Sequence, residues 1–395
     1  MKRIVTAFAA LFGLATGAQA QDEVKLGVLL GFTGPIESLT PQMAWGAEYA
    51  AREATESGAF MGGSSVAVVR GDSTCIDSAV ATAAAERLVT SDKVSGIVGA
   101  DCSGVTGAVL QNVARPNGIV MISPSATSPA LSTAEDDGLF FRTAPSDARQ
   151  GQVMSSILMD RGVETVALTY TNNDYGKGLA DSFAAAFAED GGTVTVSLSH
   201  EDGKGDYSAE VGALASAGGD ALVVAGYIDQ GGLGVIQASL DAGAFETFVL
   251  PDGMIGPSII ENIGGDLEGS FGQMPGSDSM AGMVLVDAAA ADGIDGTTIY
   301  VAESYDAAAL IILAMQAAGS HMSEDYKSKI FDVANAPGEP ILPGELGKAL
   351  EILAAGGEVD YVGASDVELI GSGEAAGKFQ EVEVANGEFV TIGYR

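Results

Sequence analysis

An α/β fold of two doubly wound parallel-sheet lobes is predicted by three observations. Short apolar runs alternate with alanine-rich helical segments at close spacing, the pattern of a parallel sheet wrapped by helices. The alternation runs its course once and then restarts near residue 146. The chain has 395 residues, enough for two separate cores.

The elements follow in order. Residues 24–30, VKLGVLL, read as a buried first strand that ends in the turn Gly31-Phe32-Thr33-Gly34-Pro35. A helix rich in Ala and Glu is expected over 43–57, then a strand at 66–69, a helix at 78–89 and a strand at 94–98. Residues 105–113 read as helix and 119–122 as the fourth strand, and Phe140-Phe141-Arg142 leads out of the unit. The second unit reads as helix 148–160, strand 166–170, helix 178–189, strand 194–196, helix 207–217, strand 221–225, helix 233–241 and strand 248–250. Beyond Pro275, helices are expected at 304–318 and 346–354. The alternating run 379–384, the Asn386-Gly387 turn and the run 388–392 read as a β tail. Two α/β units with the C-terminal part returning to them imply two lobes and a cleft, a preferred place for a small ligand.

Met1-Lys2-Arg3, the apolar run that follows and Ala18-Gln19-Ala20 have the form of a secretory signal peptide cleaved near Ala20. No later stretch reads as long and apolar enough to span a bilayer, so the expected location is periplasmic. The net charge is -35; without Lys2 and Arg3, 16 basic residues face 53 acidic ones, giving -37. Such a surface repels phosphate backbones and anionic lipid, which argues against nucleic-acid and membrane partners. Cys75 and Cys102 are the two cysteines. In an exported chain the default is one disulfide, the alternative being two free thiols.

Catalytic and metal signatures are missing. His200 and His321 are the only histidines, and there is no H-E-x-x-H, no Cys/His cluster, no G-x-S-x-G and no Walker A run. Gly231-Gly232-Leu233-Gly234 lacks the other positions of a phosphate loop. Trp45, the single tryptophan, is expected to pack rather than to cage a ligand. Neither an enzyme activity nor a cofactor nor a metal is indicated.

The stretch Ile122-Ser123-Pro124-Ser125-Ala126-Thr127-Ser128-Pro129 is the most informative. It follows a buried strand, and its two prolines forbid further sheet pairing. Small hydroxyl residues and free backbone N–H groups are left at a strand's carboxyl end, where open α/β sheets bind ligands. An ordinary Ser/Pro turn is the alternative from these residues alone.

Several segments in order carry a family resemblance: Gly34-Pro35, Cys75 with Asp101-Cys102-Ser103, the 122–127 stretch, Arg142-Thr143 with Asp147, and Asp174-Tyr175-Gly176-Lys177-Gly178. Gly205-Asp206-Tyr207-Ser208, Gly219-Asp220-Ala221, Gly226-Tyr227 and Pro251-Asp252-Gly253 continue it. From about Val24 onward the chain resembles the type I periplasmic solute-binding proteins of ABC importers, near the leucine/isoleucine/valine-binding branch. That resemblance implies two lobes joined by a three-strand hinge and a Cys75–Cys102 disulfide. The expected division is a signal peptide at 1–20, lobe 1 at 21–145 and 275–384, and lobe 2 at 146–274 with a tail at 385–395.

The resemblance also implies site roles. The Ser103 hydroxyl would bind a ligand carboxylate, and Ser125 and Thr127 the carboxylate and ammonium. Asp252 would be the acidic partner of the ammonium, one methylene shorter than the Glu common there. Tyr175, Tyr227 and Tyr305 would line the second lobe's face and the hinge side, and Asp147 would support the hinge or the site. Leu39 stands where relatives often carry an aromatic ring, which makes the pocket more aliphatic or roomier. The implied function is capture of a small amino acid, branched-chain or otherwise aliphatic, for a membrane permease of an ABC importer, by a monomer without cofactor. Short amides, urea or small carboxylates are alternative ligands, and a ligand-sensing component of a signalling system is the alternative role.

Overall fold

The computed structural model describes residues 23–395; the expected signal peptide lies outside the described residues. The first five strands are β1 (Glu23–Leu30), β2 (Ser65–Asp72), β3 (Gly96–Gly99), β4 (Met121–Ser123) and β5 (Phe140–Pro145). They form a parallel sheet ordered β5-β4-β3-β1-β2. The next five are β6 (Thr165–Thr171), β7 (Thr193–His200), β8 (Ala221–Ala225), β9 (Phe248–Leu250) and β10 (Phe271–Pro275), ordered β10-β9-β8-β6-β7. A small pair, β11 (Glu339–Ile341) and β12 (Val359–Tyr361), stands apart. Strands β13 (Leu369–Ile370) and β14 (Glu374–Ala375) return to the first sheet beside β5, and β15 (Phe379–Ala385) and β16 (Glu388–Tyr394) return to the second beside β10.

Helices cover both faces of each sheet, so the central strands are apolar along their length. Leu26, Val28, Leu29 and Leu30 of β1, and every residue of β8, are buried. The helix Thr40–Ser57 starts with Pro41 in its first turn, where a missing N–H costs nothing, and ends at Gly58 in the left-handed region. It packs along the helix Val301–Ala318. Gly46 permits that approach, since a Cβ there would meet the Val301 carbonyl oxygen at 2.5 Å.

The chain passes between lobes three times: from β5 to the helix Asp147–Asp160, after β10, and from β14 to β15. Two expectations are corrected. The second sheet regains the chain at Phe379 rather than at 385, because β15 pairs antiparallel with β10, Phe271 opposite Glu383. And one helix, Val301–Ala318, is long and apolar enough to cross a membrane by length and composition, contrary to the sequence reading. It is 83% buried within the lobe, and a helix enclosed on all sides is apolar all round.

Candidate functional site

The cleft between the lobes is lined by Ile36, Leu39, Asp101, Cys102, Ser103 and Ser125 from lobe 1, by Tyr175, Tyr227, Asp252 and Gly253 from lobe 2, and by Tyr300. The lobes are closed on each other. The Asp229 N–H of lobe 2 donates to the Pro35 carbonyl of lobe 1 at 3.0 Å. The Asp229 carboxylate accepts from the Ser38 N–H at 2.8 Å and from the Ser258 hydroxyl at 2.7 Å.

The lobe 1 wall is built from the loops that follow β3 and β4. The Ser123 hydroxyl donates to the Ala100 carbonyl and accepts from the Ala126 N–H, folding the 122–129 stretch back on itself. The Ser125 hydroxyl donates to the Asp101 carbonyl at 3.0 Å, and the Ser103 hydroxyl accepts from the Ser128 N–H at 3.1 Å. Buried Arg142 donates to the Ala126 and Ser128 carbonyls and to Ser132 and Glu374. The loop is therefore pinned by a guanidinium from beneath, and the Thr127 N–H and hydroxyl are left without partners among the described residues. The proline-bounded turn thus keeps an unspent backbone donor buried beside the cleft.

Cys75 and Cys102 form a disulfide whose second half-cystine stands beside Ser103. Asp101, also buried, ties the same corner. Its carboxylate accepts from the Gly31 N–H at 2.5 Å and the Ser73 hydroxyl at 2.7 Å. Burial pushes this carboxyl upward, and those donors oppose the shift.

The lobe 2 wall centres on Asp252, which follows β9. Tyr175 donates its hydroxyl to Asp252 Oδ1 at 2.6 Å, and Tyr300 donates to Oδ2. Tyr175 stands at the start of the helix Asp174–Glu189, which Asn173 caps by accepting from the Gly176 N–H. Its ring stacks on Tyr227 with centroids 5.1 Å apart. Burial and the Asp252 charge push both Tyr175 and Tyr300 well upward, so both hydroxyls stay protonated donors. Gly253 keeps the floor open, because a Cβ would meet the Gly226 carbonyl oxygen at 2.5 Å and the Tyr175 hydroxyl at 2.7 Å.

The structure brings Ser103, Ser125, Tyr175, Tyr227, Asp252 and Leu39 to one cleft. Thr127 and Asp147 are buried next to it, joined by the Asp147 N–H donating to the Thr127 carbonyl at 2.9 Å. Tyr305 does not belong to it. It lies in the lobe 1 core, donates to Glu53 at 2.7 Å and packs on Tyr49. One and a half turns into its helix, it points at the neighbouring helix Thr40–Ser57 instead of the cleft. Tyr300, missed in the sequence, takes the place intended for it, just before that helix and at φ 68°. Asp229 and Ile36 were missed as well. Gly231 to Gly234 are packing glycines, since a Cβ on Gly232 would strike Met254 and one on Gly234 would strike Tyr207. Trp45 packs on Tyr49, as expected, and its indole N–H donates to Asp292 at 2.9 Å.

Hydroxyl and amide donors on one lobe, and a carboxylate framed by tyrosines on the other, define a two-lobed protein that closes on a small polar ligand. Residues 23–334 match the family described as periplasmic binding protein, and the chain belongs to that family. It is 30% identical over 314 residues to the leucine-, isoleucine-, valine-, threonine- and alanine-binding protein of Pseudomonas aeruginosa, covering 78% of this chain and 82% of that one. It is 34% identical to Leu/Ile/Val-binding protein homolog 3 of Brucella melitensis over 58% of this chain; that match spans 60% of the relative's length. A branched-chain amino acid transporter substrate-binding protein of Streptococcus pneumoniae, solved with isoleucine, superimposes with a TM-score of 0.76 at 23% identity, covering 94% of this chain and 99% of that one.

Proposed function

We propose that the protein is exported, captures a small aliphatic amino acid between its lobes and delivers it to the membrane permease of an ABC importer, as a monomer and without catalysis or cofactor. The observation that carries this reading is the opposed polarity of the cleft: Ser103 and Ser125 on one wall, with the Thr127 N–H buried beside them, and the Asp252 carboxylate on the other. A zwitterion needs donors at its carboxylate and an anion at its ammonium, since a buried charge without a partner is costly. Ser103, Ser125 and Thr127 then hold the carboxylate, Asp252 the ammonium, and Tyr175 and Tyr227 close over the Cα. Ile36 and Leu39 supply an apolar wall without an aromatic ring, which suits a branched aliphatic side chain. The names of the curated relatives support the same ligand class.

The test is thermal unfolding of protein stripped of ligand by denaturation and refolding, against amino acids, amides and small carboxylates. Ligand at 100 times its dissociation constant adds about 2.7 kcal/mol of stability. A shift with leucine, isoleucine or valine and none with their deaminated analogues is expected. A shift with amides or acids alone overturns the ligand assignment.

A further inference from the structure

A second cavity, of about 390 Å³, lies where the chain passes between the lobes and shares no lining residue with the cleft. Thr143 and Pro145 of β5, Pro275 of β10, Gly276 and Gly377 bound it, so all three crossovers meet there. Glu303, in the first turn of the helix Val301–Ala318, faces into it. This residue is 4% exposed, and its carboxyl receives no hydrogen bond from any other described residue. The Thr143 hydroxyl donates to the Glu303 backbone carbonyl instead, at 2.8 Å. Asp306, one turn further along, shows the contrast. Its oxygens accept from the Tyr361 hydroxyl, the Ala364 N–H, and both the N–H and the hydroxyl of Ser365. A buried acid without donors, beside so well-served a neighbour, marks a place that something else completes.

We infer that this cavity is a second binding site, for a small aliphatic ammonium compound whose cationic head lies on Glu303. Three observations set the ligand class. The charged residues that line it besides Glu303 are Asp360, Asp366, Glu368 and Lys378, three acids against one base, and Lys378 donates to Asp366. The cavity therefore favours a cation. No three His, Cys, Asp or Glu side chains among the described residues are placed to hold a metal ion, and the volume is that of a small-molecule pocket. Pro145, Pro275, Ala336 and Val362 offer an apolar wall to a short carbon chain. Glu303 is buried while the other three acids are half-buried or exposed, so a diamine can place one end on Glu303 and the other at the rim. Burial pushes the Glu303 carboxyl up to about 8, and the Asp306 charge adds to this. Near neutral pH the empty cavity thus holds a protonated acid. The ammonium takes the proton's place and the proton goes to solvent, so the Glu303 position is neutral before and after.

The test is calorimetric titration of the protein with 1,4-butanediammonium, butylammonium and uncharged 1-butanol, at pH 6 and pH 8. The expected result is about one diammonium bound per chain at pH 8, weaker binding of butylammonium and none of the alcohol, with affinities lower by about tenfold or more at pH 6. Glu303→Gln, which keeps the shape of the neutral acid, should weaken diammonium binding by about tenfold or more, and Asp360→Asn should weaken it several-fold. Asp252→Asn, altered in the cleft, should bind the diammonium as the wild type does. Binding lost in Asp252→Asn and kept in Glu303→Gln would put the amine in the cleft and overturn the inference. No binding of either amine, or an affinity indifferent to pH, overturns it as well. Where Glu303→Gln does not fold, the wild-type pH profile and Asp360→Asn decide the matter.

Discussion

Tyr300 shows how much one side chain can settle. Its hydroxyl and that of Tyr175 hold the two oxygens of Asp252 in one orientation. A hydrogen bond to a charged group contributes about 1.5–3 kcal/mol. Tyr300→Phe should therefore weaken ligand binding roughly tenfold or more while melting stays within a few degrees; calorimetry with the ligand found in the thermal screen checks it. The family resemblance pointed to Tyr305 in its place, five residues further on, where the chain is already helical. A tyrosine in the left-handed region just ahead of a helix is uncommon and leaves no trace in periodicity. Ser103, Ser125 and Tyr175 came from the order of motifs that carries the family resemblance, not from any one segment, and all three line the cleft.

Glu303 gives a second residue-scale prediction. It is buried at the start of the helix Val301–Ala318 and faces a cavity bounded by Thr143, Pro145, Pro275, Gly276 and Gly377, where the chain passes between lobes. Burial pushes its carboxyl up to about 8. The folded protein thus keeps a proton that the unfolded chain releases near pH 4.5, and stability must fall as pH rises from about 4.5 to about 8. The full effect is on the order of 5 kcal/mol. Urea unfolding at pH 5, 7 and 9 should show this decline in the wild type and a flatter profile in Glu303→Gln.

Among the elements, the disulfide joins the end of β2 to the loop that carries Ser103. Closing 27 residues constrains the unfolded chain by about 3.5 kcal/mol. Replacing both cysteines by serine should lower stability by that order, and the ligand-binding loss should exceed what the stability loss explains. Denaturation midpoints and affinities of the double variant measure the two separately. The β1 turn contributes at the same scale through Pro35 and Ser38, which meet Asp229 across the cleft. Strands and helices of the parallel core were readable from apolar runs and alanine-rich segments. Strand β10 and the short pairs β11–β12 and β13–β14 were not, because their few residues carry no period of their own and take their structure from partners far along the chain; the helix Met280–Ala291 was not, because its run is apolar almost throughout and shows no amphipathic period.

At the scale of the molecule, closure is an equilibrium that contacts outside the ligand site can tip. Asp229 bridges Pro35, Ser38 and Ser258 without lining the cleft. Asp229→Ala should enlarge the radius of gyration measured with ligand by small-angle scattering and weaken affinity several-fold, chiefly through faster release. An unchanged radius and affinity would show that these bonds do not hold the lobes together. The division into lobes was visible because the βα alternation starts twice. The strand pairings that join distant segments were not, because sheet order depends on contacts across hundreds of residues.

The return of β15 and β16 to the second sheet has a consequence for biosynthesis. Strand β10 leaves the ribosome long before its partner β15, and everything from Met280 to Ala375 must be threaded through before the two can pair. Until then the nascent second lobe has a raw edge, open to chaperones or to a neighbouring chain. A premature stop ahead of Phe379 would leave all the cleft residues in place and still give a protein with an unfinished lobe, prone to aggregation rather than merely inactive.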